Sequence, residues 1–239
     1  MKIETRKTTK EGLVQITTLD ERWYERDGKF VPSVTWIASF YPKGIAYYKW
    51  LAQHGWDEAE QIKKDAGERG SRVHKAIDLL IKGEEINIDD LYPNDEGINR
   101  EVDADEWWSI MAFADWWREN NPAIIKNEYV VEGDGYAGTV DIKCQIGDDV
   151  YIVDIKTSQD IWKSHEIQLS AYKHADDGEN GVVAKIAILQ VGYRRNKKGW
   201  KFTEIEDKFD LFLAAKKIWT AENEDVSPKQ REFPRSIKL

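Results

Sequence analysis

The sequence has 239 residues but only one cysteine, Cys144. A single thiol excludes an internal disulfide, a four-cysteine zinc site and an all-cysteine iron–sulfur cluster. The chain also lacks an apolar run of about 18 residues, the length that a membrane-spanning helix needs. Its first residues, MKIETRKTTKEGL, lack the apolar centre of a secretory signal. We therefore expect a cytoplasmic protein with no membrane-spanning segment.

Linkers and repeats are missing as well. The chain has no internal repeat, no low-complexity tract and no stretch rich in proline, glycine and serine. A P-loop signature, Gly-x-x-x-x-Gly-Lys-Ser/Thr, does not occur either. The sequence therefore predicts one domain over residues 1–239. Its predicted parts are N-terminal strands over 1–32, a helical part over 33–120, a sheet core over 121–205, and a C-terminal helix and tail over 206–239.

The net charge of −9 is concentrated in one segment. Residues 84–106 hold ten acidic residues and one basic residue, Arg100, so this segment alone has a net charge of −9. Few large apolar residues accompany these charges, which favours a solvated insertion between helices. The alternatives are a regulatory or DNA-mimicking role, or recruitment of a recombination or replication protein.

Basic residues gather nearer the C-terminus. Residues 185–239 contain 13 Lys or Arg against 8 Asp or Glu. Five of these positive charges lie within residues 194–201, beside Gly199 and Trp200. A basic turn of this kind can contact phosphates while its tryptophan packs or stacks. An ordinary hairpin tip is an equally good interpretation.

Hydrophobic periodicity predicts the order of the elements. Helical patterns, the first opened by an N-cap at Ser33, precede residue 122, and short runs rich in β-branched and aromatic residues follow it. These runs cover residues 124–131, 136–146, 150–157, 182–193 and 200–205, with helices predicted over 163–174 (ending near Gly178) and 207–222. This order predicts an α/β fold with a mixed central sheet flanked by helices and a helical N-terminal part.

Four of the eleven tryptophans lie in one predicted helix, residues 103–119. Helical spacing predicts a core-facing stripe in this helix. Its members are Trp107, Ile110, Met111, Ala114 and Trp117. Trp108 and Trp116 fall off that stripe and are left to cover a groove or to stack on bases.

Three charges lie inside predicted apolar strands, namely Asp141, Asp154 and Lys156. A buried charge on a strand is costly unless it is paired or binds a metal. A hairpin that turns at Asp148 and Asp149 places Asp141 opposite Lys156, with Asp154 diagonal on the same face. Two converging carboxylates form a site for Mg²⁺ or Mn²⁺, and a nearby ammonium suits phosphodiester hydrolysis. A buried ion pair without metal is the alternative.

Other polar residues are predicted near the same point. Gln168 and Tyr172 are four residues apart on a predicted helix and therefore share a face. His74 neighbours Ile77 on the inward face of an earlier helix, where it is either a satisfied core histidine or a ligand. Glu128, on the strand before the hairpin, is a further carboxylate within reach of the site.

Together these residues resemble the PD-(D/E)XK nuclease superfamily, and within it the RecB-like and lambda-type exonuclease branch. That branch carries Arg-Gly-x-x-x-His on a helix, Gly-x-x-Asp on a strand, Asp/Glu-x-Lys on the next strand and Gln-x-x-x-Tyr on the following helix. The matching segments are Arg69–His74, Gly138–Asp141, Asp154–Lys156 and Gln168–Tyr172, and Thr157 after the lysine is also typical. The resemblance spans about residues 33–191.

The resemblance implies a restriction-endonuclease-like core that binds Mg²⁺ or Mn²⁺. The implied metal ligands are His74, Asp141, Asp154 and the backbone carbonyl of Ile155. Lys156 is implied to be the catalytic lysine, with Gln168 and Tyr172 positioning the site or contacting the DNA backbone. Val140 replaces the proline of the family name, as is common in this branch. Iron–sulfur members need four cysteines, so this chain is expected to be free of a cluster.

The function implied by the resemblance is a DNA exonuclease that processes ends in recombination, repair or phage replication, in a prokaryotic cell or a phage-infected host. An endonuclease selective for structure or sequence, and a non-catalytic DNA-binding module, are the alternatives. The oligomeric state stays open. Since the chain is acidic, DNA binding needs a locally basic groove. The residues expected to line it are Arg69, Arg72, Lys143, Lys156, Lys163, Arg194, Arg195, Lys197 and Lys198.

Overall fold

The computed structural model describes residues 5–17, 21–94, 97–176 and 184–224, together with residues 226, 228 and 238. Over these ranges the chain has a mixed α/β fold, with a central mixed sheet flanked by helices. This architecture confirms the predicted fold class. None of the helices in these ranges combines the length and apolar character that crossing a membrane requires.

A small antiparallel sheet opens the chain. Its four strands, paired in chain order, are β1 (Thr5–Thr8), β2 (Val14–Thr17), β3 (Arg22–Arg26) and β4 (Lys29–Pro32). Asp27 and Gly28 connect β3 to β4 in a two-residue turn, with φ angles of 52° and 75°. Asp-Gly favours such turns because both central positions need positive φ.

Three helices follow this sheet. They are α1 (Val34–Ser39), α2 (Ile45–His54) and α3 (Trp56–Ile81). Ser33 caps α1 as predicted, since its Oγ accepts a hydrogen bond from the backbone N–H of Trp36 at 3.1 Å. The long helix α3 ends just before Gly83, whose φ of 81° is the left-handed conformation typical of a helix stop.

The described residues of the acidic segment are mostly exposed, as expected for a solvated insertion, but they also form regular structure. It contains a two-stranded sheet of β5 (Leu91–Pro93) and β6 (Asn99–Glu101), followed by helix α4 (Ala104–Asn120). Tyr92 anchors it, because its side chain is buried against α3 and α4. Its last acidic residues cap α4: Asp103 accepts a hydrogen bond from the N–H of Glu106, and Glu106 accepts one from Asp103. The segment therefore takes part in the fold.

The central sheet has the strand order β11-β10-β9-β8-β7. Its elements are β7 (Ala123–Gly133), β8 (Tyr136–Ile146), β9 (Asp149–Lys156), α5 (Lys163–Asp176), β10 (Lys185–Val191), β11 (Trp200–Ile205) and the closing helix α6 (Phe209–Glu222). Every neighbouring pair is antiparallel except β9 and β10, which are parallel. Parallel neighbours need a crossover connection, and α5 supplies it.

Both faces of the sheet are buried, each under a different set of helices. Ile186 and Ile188 of β10 pack with residues of α1, α5 and α6. The alternate residues Ala187 and Leu189 pack with residues of α3 and α4. Successive strand residues point to opposite faces, so the apolar run in β10 fits a strand covered on both sides.

The predicted core stripe of α4 is partly wrong. Trp116, which falls off the stripe, is fully buried and stacks with Phe202 of β11, whereas Met111 on the stripe is 49% exposed. Ile110 is buried as expected. The buried surface of α4 differs from the predicted stripe because the helix packs against both α3 and β11. A single stripe predicts burial on one side of the helix only.

The register of the β8–β9 hairpin also differs from the prediction. Ile146 pairs with Asp149, and Gln145 pairs with Val150, so the turn consists of Gly147 and Asp148. Gly147 has a φ of 61°, which this tight turn requires. The difference from the predicted register is two residues. A shift by an even number of residues keeps each side chain on the same face of the sheet. It changes the residue opposite Asp141 from Lys156 to Asp154.

Several predicted boundaries lie outside the described residues. These are the helix end near Gly178, the strand start at Val182 and most of the C-terminal tail.

A buried ion pair joins α3 to α4. The Nη2 of Arg72 lies 2.6 Å from the Oε1 of Glu106, and the two side chains are 8% and 3% exposed. The Nε of Arg72 donates to the same oxygen at 2.9 Å. Arg72 was expected to contact DNA, and that expectation is wrong because its guanidinium is buried in this pair. Charge complementarity here fixes one helix on the other.

We expect Arg72→Ala to lower the free energy of unfolding by about 3–5 kcal/mol, because the change leaves the Glu106 carboxylate buried without its partner. Urea denaturation measures the loss. Lys64→Ala is the matched control on the same helix, since Lys64 is exposed and lies 3.9 Å from Glu68. It should cost less than about 1 kcal/mol. Equal losses in the two variants would contradict the structural role of the buried pair.

Candidate active site

Five elements bring the sequence-predicted polar residues together around the C-terminal end of β9. Helix α3 supplies His74, and β7 and β8 supply Glu128 and Asp141. Strand β9 supplies Asp154 and Lys156, and helix α5 supplies the pair predicted on one face, Gln168 and Tyr172. These residues belong to five separate segments of the sequence. They come together only when the sheet and its covering helices fold.

A cluster of three potential ligands forms the centre of the site. One ligand atom from each of His74, Glu128 and Asp141 lies within 4.8 Å of the others. The Nδ1 of His74 is 3.5 Å from the Oδ1 of Asp141, and its Nε2 is 3.1 Å from the backbone oxygen of Ile155. The Oδ2 of Asp141 accepts a hydrogen bond of 2.7 Å from the backbone N–H of Ile155. The Ile155 backbone thus links the imidazole to the carboxylate.

Glu128 holds its place through an unusual backbone conformation. Its φ is 45°, although it lies within β7, and the β7–β8 ladder is irregular between Ile124 and Lys126. The left-handed conformation costs a non-glycine residue about 1–2 kcal/mol. Strain of this kind concentrates at functional sites. Glu128 was named from the sequence only as a carboxylate within reach, because neither the bulge nor its φ has a signature in the residues.

Asp154 and Lys156 form a second, adjoining group. Lys156 Nζ donates to Asp154 Oδ1 at 2.9 Å and lies 2.7 Å from Oδ2. The Nε2 of Gln168 is 3.4 Å from Asp154 Oδ1 and donates to the Tyr172 hydroxyl at 2.9 Å. Helix α5 therefore contacts the end of β9 through the two residues that the sequence places on one face.

Gly138 explains how α5 comes so close to β8. A methyl group on Gly138 would lie 2.4 Å from a ring carbon of Tyr172. No side chain fits in that space, so the tyrosine ring packs directly on the strand three residues before Asp141. The glycine of the Gly-x-x-Asp segment and the tyrosine of the Gln-x-x-x-Tyr segment are thus two halves of one contact.

The ionisable groups of the site shift one another's pKa values. Burial opposes charging of His74, but the attraction of Asp141 outweighs it and raises the pKa of His74 to about 9. Burial and the neighbouring Asp141 carboxylate raise the pKa of Glu128 to about 7. Burial likewise raises the pKa of Asp154. Burial opposes the charged carboxylate of Asp141 too, yet His74 and Lys156 lower its pKa overall.

These residues fit a divalent cation. Carboxylates and a backbone carbonyl are the ligands of Mg²⁺ and Mn²⁺, and an imidazole completes a mixed set. The buried Oδ2 of Asp154 has no hydrogen bond from the described residues, although Lys156 lies beside it. The Lys156 ammonium offsets the charge of this oxygen, and a divalent cation at this point would supply a further partner.

Most of the residues predicted to bind DNA have partners within the protein. Lys143 is only 6% exposed and pairs with Asp176, so a DNA contact by Lys143 is excluded in this fold. The other ion pairs are Lys163 with Glu166, Arg194 with Asp105, Arg195 with Asp160, and Lys198 with Glu119. Arg69 and Lys197 have no hydrogen-bond or ion-pair partner among the described residues.

His165, in the first turn of α5, was not predicted from the sequence as a residue of this site. It precedes Gln168 by three residues and Tyr172 by seven, so the three share one helix face. Its Nδ1 faces the backbone N–H of Trp162 at 3.3 Å. Burial, then the charges of Lys156 and Lys43, lower the pKa of His165 to about 3. Helical spacing from Gln168 was the available signal.

Comparisons with known proteins give a limited result. No protein-family model and no curated protein matches the chain. Among solved structures, it is similar to the crystal structure of an alkaline exonuclease, LHK-Exo, from Laribacter hongkongensis, with a TM-score of 0.39 and 12% identity over 79% of this chain and 84% of that one. LHK-Exo in complex with dAMP gives a TM-score of 0.40 and 12% identity over 80% and 85% of the two chains. Similarity at this level defines no family.

We expect His165 to stay neutral in the folded protein down to about pH 4. The unfolded chain binds a proton on this residue near pH 6.5, and the folded chain does so only near pH 3. The contribution of His165 to stability is therefore complete above pH 6.5 and decreases as the pH falls, by about 1.4 kcal/mol per pH unit.

Comparison of wild type with His165→Gln isolates this effect, because the opposite contribution of Glu128 is common to both proteins. Urea denaturation at pH 7 and pH 5 should show wild type losing roughly 2 kcal/mol relative to the variant. Parallel loss of stability in the two proteins would show that the imidazole is accessible to protons in the fold.

Proposed function

We propose that this chain is a Mg²⁺- or Mn²⁺-dependent deoxyribonuclease, and specifically an exonuclease that processes DNA ends in recombination, repair or phage replication. The observation that carries the proposal is the convergence of His74, Glu128 and Asp141 within 4.8 Å, beside the Asp154–Lys156 pair. Carboxylates, an imidazole and a lysine at one point suit hydrolysis of a phosphodiester better than a purely structural role.

The residues divide into two functional groups. The proposed metal ligands are His74, Glu128, Asp141, Asp154 and the backbone carbonyl of Ile155. A divalent cation there supplies Lewis-acid activation of water and neutralises charge on the phosphoryl oxygens. Lys156, whose pKa the neighbouring carboxylates raise against the effect of burial, remains protonated. Its ammonium is placed to orient the nucleophile and to stabilise negative charge that develops in the transition state.

Gln168 and Tyr172 position the carboxylate that faces Lys156. Burial keeps the pKa of the Tyr172 hydroxyl well above its usual range, so the tyrosine stays neutral and can accept the hydrogen bond from Gln168. The same Nε2 of Gln168 also donates toward the Oδ1 of Asp154, which is 3.4 Å away. This arrangement limits rotation of the Asp154 carboxylate, and preorganised ligands lower the reorganisation needed during reaction.

Metal binding tests the ligand assignment directly. Calorimetric titration with Mn²⁺ should give saturable binding to wild type, no measurable binding to Asp141→Asn, and binding about tenfold weaker or worse in Glu128→Gln. Glu132→Gln is the control on the same strand, since Glu132 is exposed and pairs with Arg26. Identical isotherms for Glu128→Gln and Glu132→Gln would remove Glu128 from the ligand set.

Digestion of matched linear and covalently closed circular DNA tests the activity. With Mg²⁺ or Mn²⁺, wild type should degrade linear DNA and leave the circle intact. EDTA should stop the reaction, and Lys156→Ala should lower the rate by at least about a hundredfold, because the transition state loses a positioned charge.

The other outcomes decide between the alternatives. Cutting of the closed circle would identify an endonuclease. Absence of cleavage with either metal, combined with retained DNA binding, would indicate a non-catalytic DNA-binding module.

A further inference from the structure

A cleft of about 490 Å³ lies between α3, α4 and the segment that follows β9. Pockets of 300–1,000 Å³ are typical of small-molecule sites. Among its lining residues are Arg69, Val73, Trp108, Ser109, Thr157 and Gln159. This volume accommodates one nucleotide.

The cleft adjoins the candidate active site. Val73 and Thr157 line it, and they are the direct chain neighbours of His74 and Lys156. The two walls approach each other at Gly70, where a methyl group would lie 3.6 Å from the Oγ1 of Thr157. Each of these two walls of the cleft is therefore one residue along the chain from a residue of the candidate active site.

Charge in the cleft favours an anion. Two acidic residues line it, but Asp105 pairs with Arg194 at 2.5 Å and Glu106 pairs with the buried Arg72. Arg69 is exposed and has no partner among the described residues, so its guanidinium is the charge left for a ligand. Guanidinium groups bind phosphate through paired hydrogen bonds.

Trp108 supplies an aromatic surface on the opposite wall. Its side chain is only partly buried, and a methyl group on Gly199 would lie 3.2 Å from its ring. Gly199 thus lets the β10–β11 connection pack tightly against the tryptophan and support it. An indole ring at the edge of a cleft is a stacking surface for a nucleobase.

Hydrogen bonds make the remaining wall rigid. Gln159 donates from Nε2 to the backbone oxygen of Gly192 at 2.8 Å and accepts from the N–H of Arg194 at 2.8 Å. Gln190 donates to the backbone oxygen of Ser158 at 2.8 Å. These bonds tie the segment after Lys156 to the end of β10, so the cleft is preformed and a ligand need not order it.

We propose that this cleft binds the nucleotide adjoining the scissile phosphate, with Trp108 stacking on the base and Arg69 binding a phosphate oxygen. The inference rests on the proposed nuclease function and adds a substrate subsite to it.

Binding of thymidine 5′-monophosphate in EDTA tests the subsite without a metal and without catalysis. Titration followed by NMR should show saturable binding to wild type in the millimolar range and weaker binding of thymidine, which lacks the phosphate. We expect affinity to fall about tenfold or more in both Trp108→Ala and Arg69→Gln, and to recover largely in Trp108→Phe. The matched controls are Trp56→Ala and Lys64→Gln, exposed residues of α3 away from the cleft.

Thermal melting of each variant separates loss of the site from loss of the fold. The recovery in Trp108→Phe is a second safeguard, because it keeps an aromatic surface. Absence of binding to wild type at 20 mM nucleotide, or equal affinity in wild type, Trp108→Ala and Arg69→Gln, would overturn the proposal.

Kinetics on linear duplex DNA distinguish failure of the subsite from failure of the function. We expect Trp108→Ala to raise KM about tenfold with a smaller change in kcat. Unchanged KM in a protein that cuts DNA would refute the subsite and leave the nuclease function standing. A protein that binds the nucleotide through Trp108 but cuts no DNA would refute the nuclease function and leave the subsite standing.

Discussion

The structure depends on how it neutralises charge buried at the end of β9. Three carboxyl groups, Glu128, Asp141 and Asp154, face two basic groups, His74 and Lys156. Full ionisation of all five groups would leave one excess negative charge in a largely desolvated site, where an unpaired charge is costly. Burial and the nearby Asp141 carboxylate therefore raise the pKa of Glu128 to about 7. The same imbalance makes the group a receptor for a cation.

The scaffold holds these groups with contacts that leave little freedom. Tyr172 packs on Gly138 and fixes α5 to β8, and the Ile155 backbone joins β9 to both Asp141 and His74. On the other face, the buried pair of Arg72 and Glu106 fixes α3 to α4. Arg72 lies two residues before His74 on α3. The position of His74 therefore depends on its contact with the Ile155 backbone and on the ion pair that fixes α3 to α4.

Fewer basic surface residues are left without an ion-pair partner than the sequence indicates. Arg194, Arg195 and Lys198 of the basic hairpin are all paired with acidic residues of the same chain. Exposed pairs of this kind contribute little stability individually, but they offset three of the five positive charges of the hairpin and attach it to α4 and to the segment after β9. Arg69 has no hydrogen-bond or ion-pair partner among the described residues, and it lines the cleft beside the candidate active site.

The sequence by itself predicted which charged and polar residues meet at the end of β9 and on which elements they lie, because charges within apolar strands and helical spacing from Gln168 to Tyr172 are local patterns. It also predicted the mixed sheet, since a helix between two apolar runs supplies the crossover that parallel strands need. Only the tertiary structure decided the hairpin register, the burial of Lys143 and the approach of Glu128. Those depend on the turn at Gly147, on the distant Asp176 and on a left-handed backbone, none of which hydrophobic periodicity encodes.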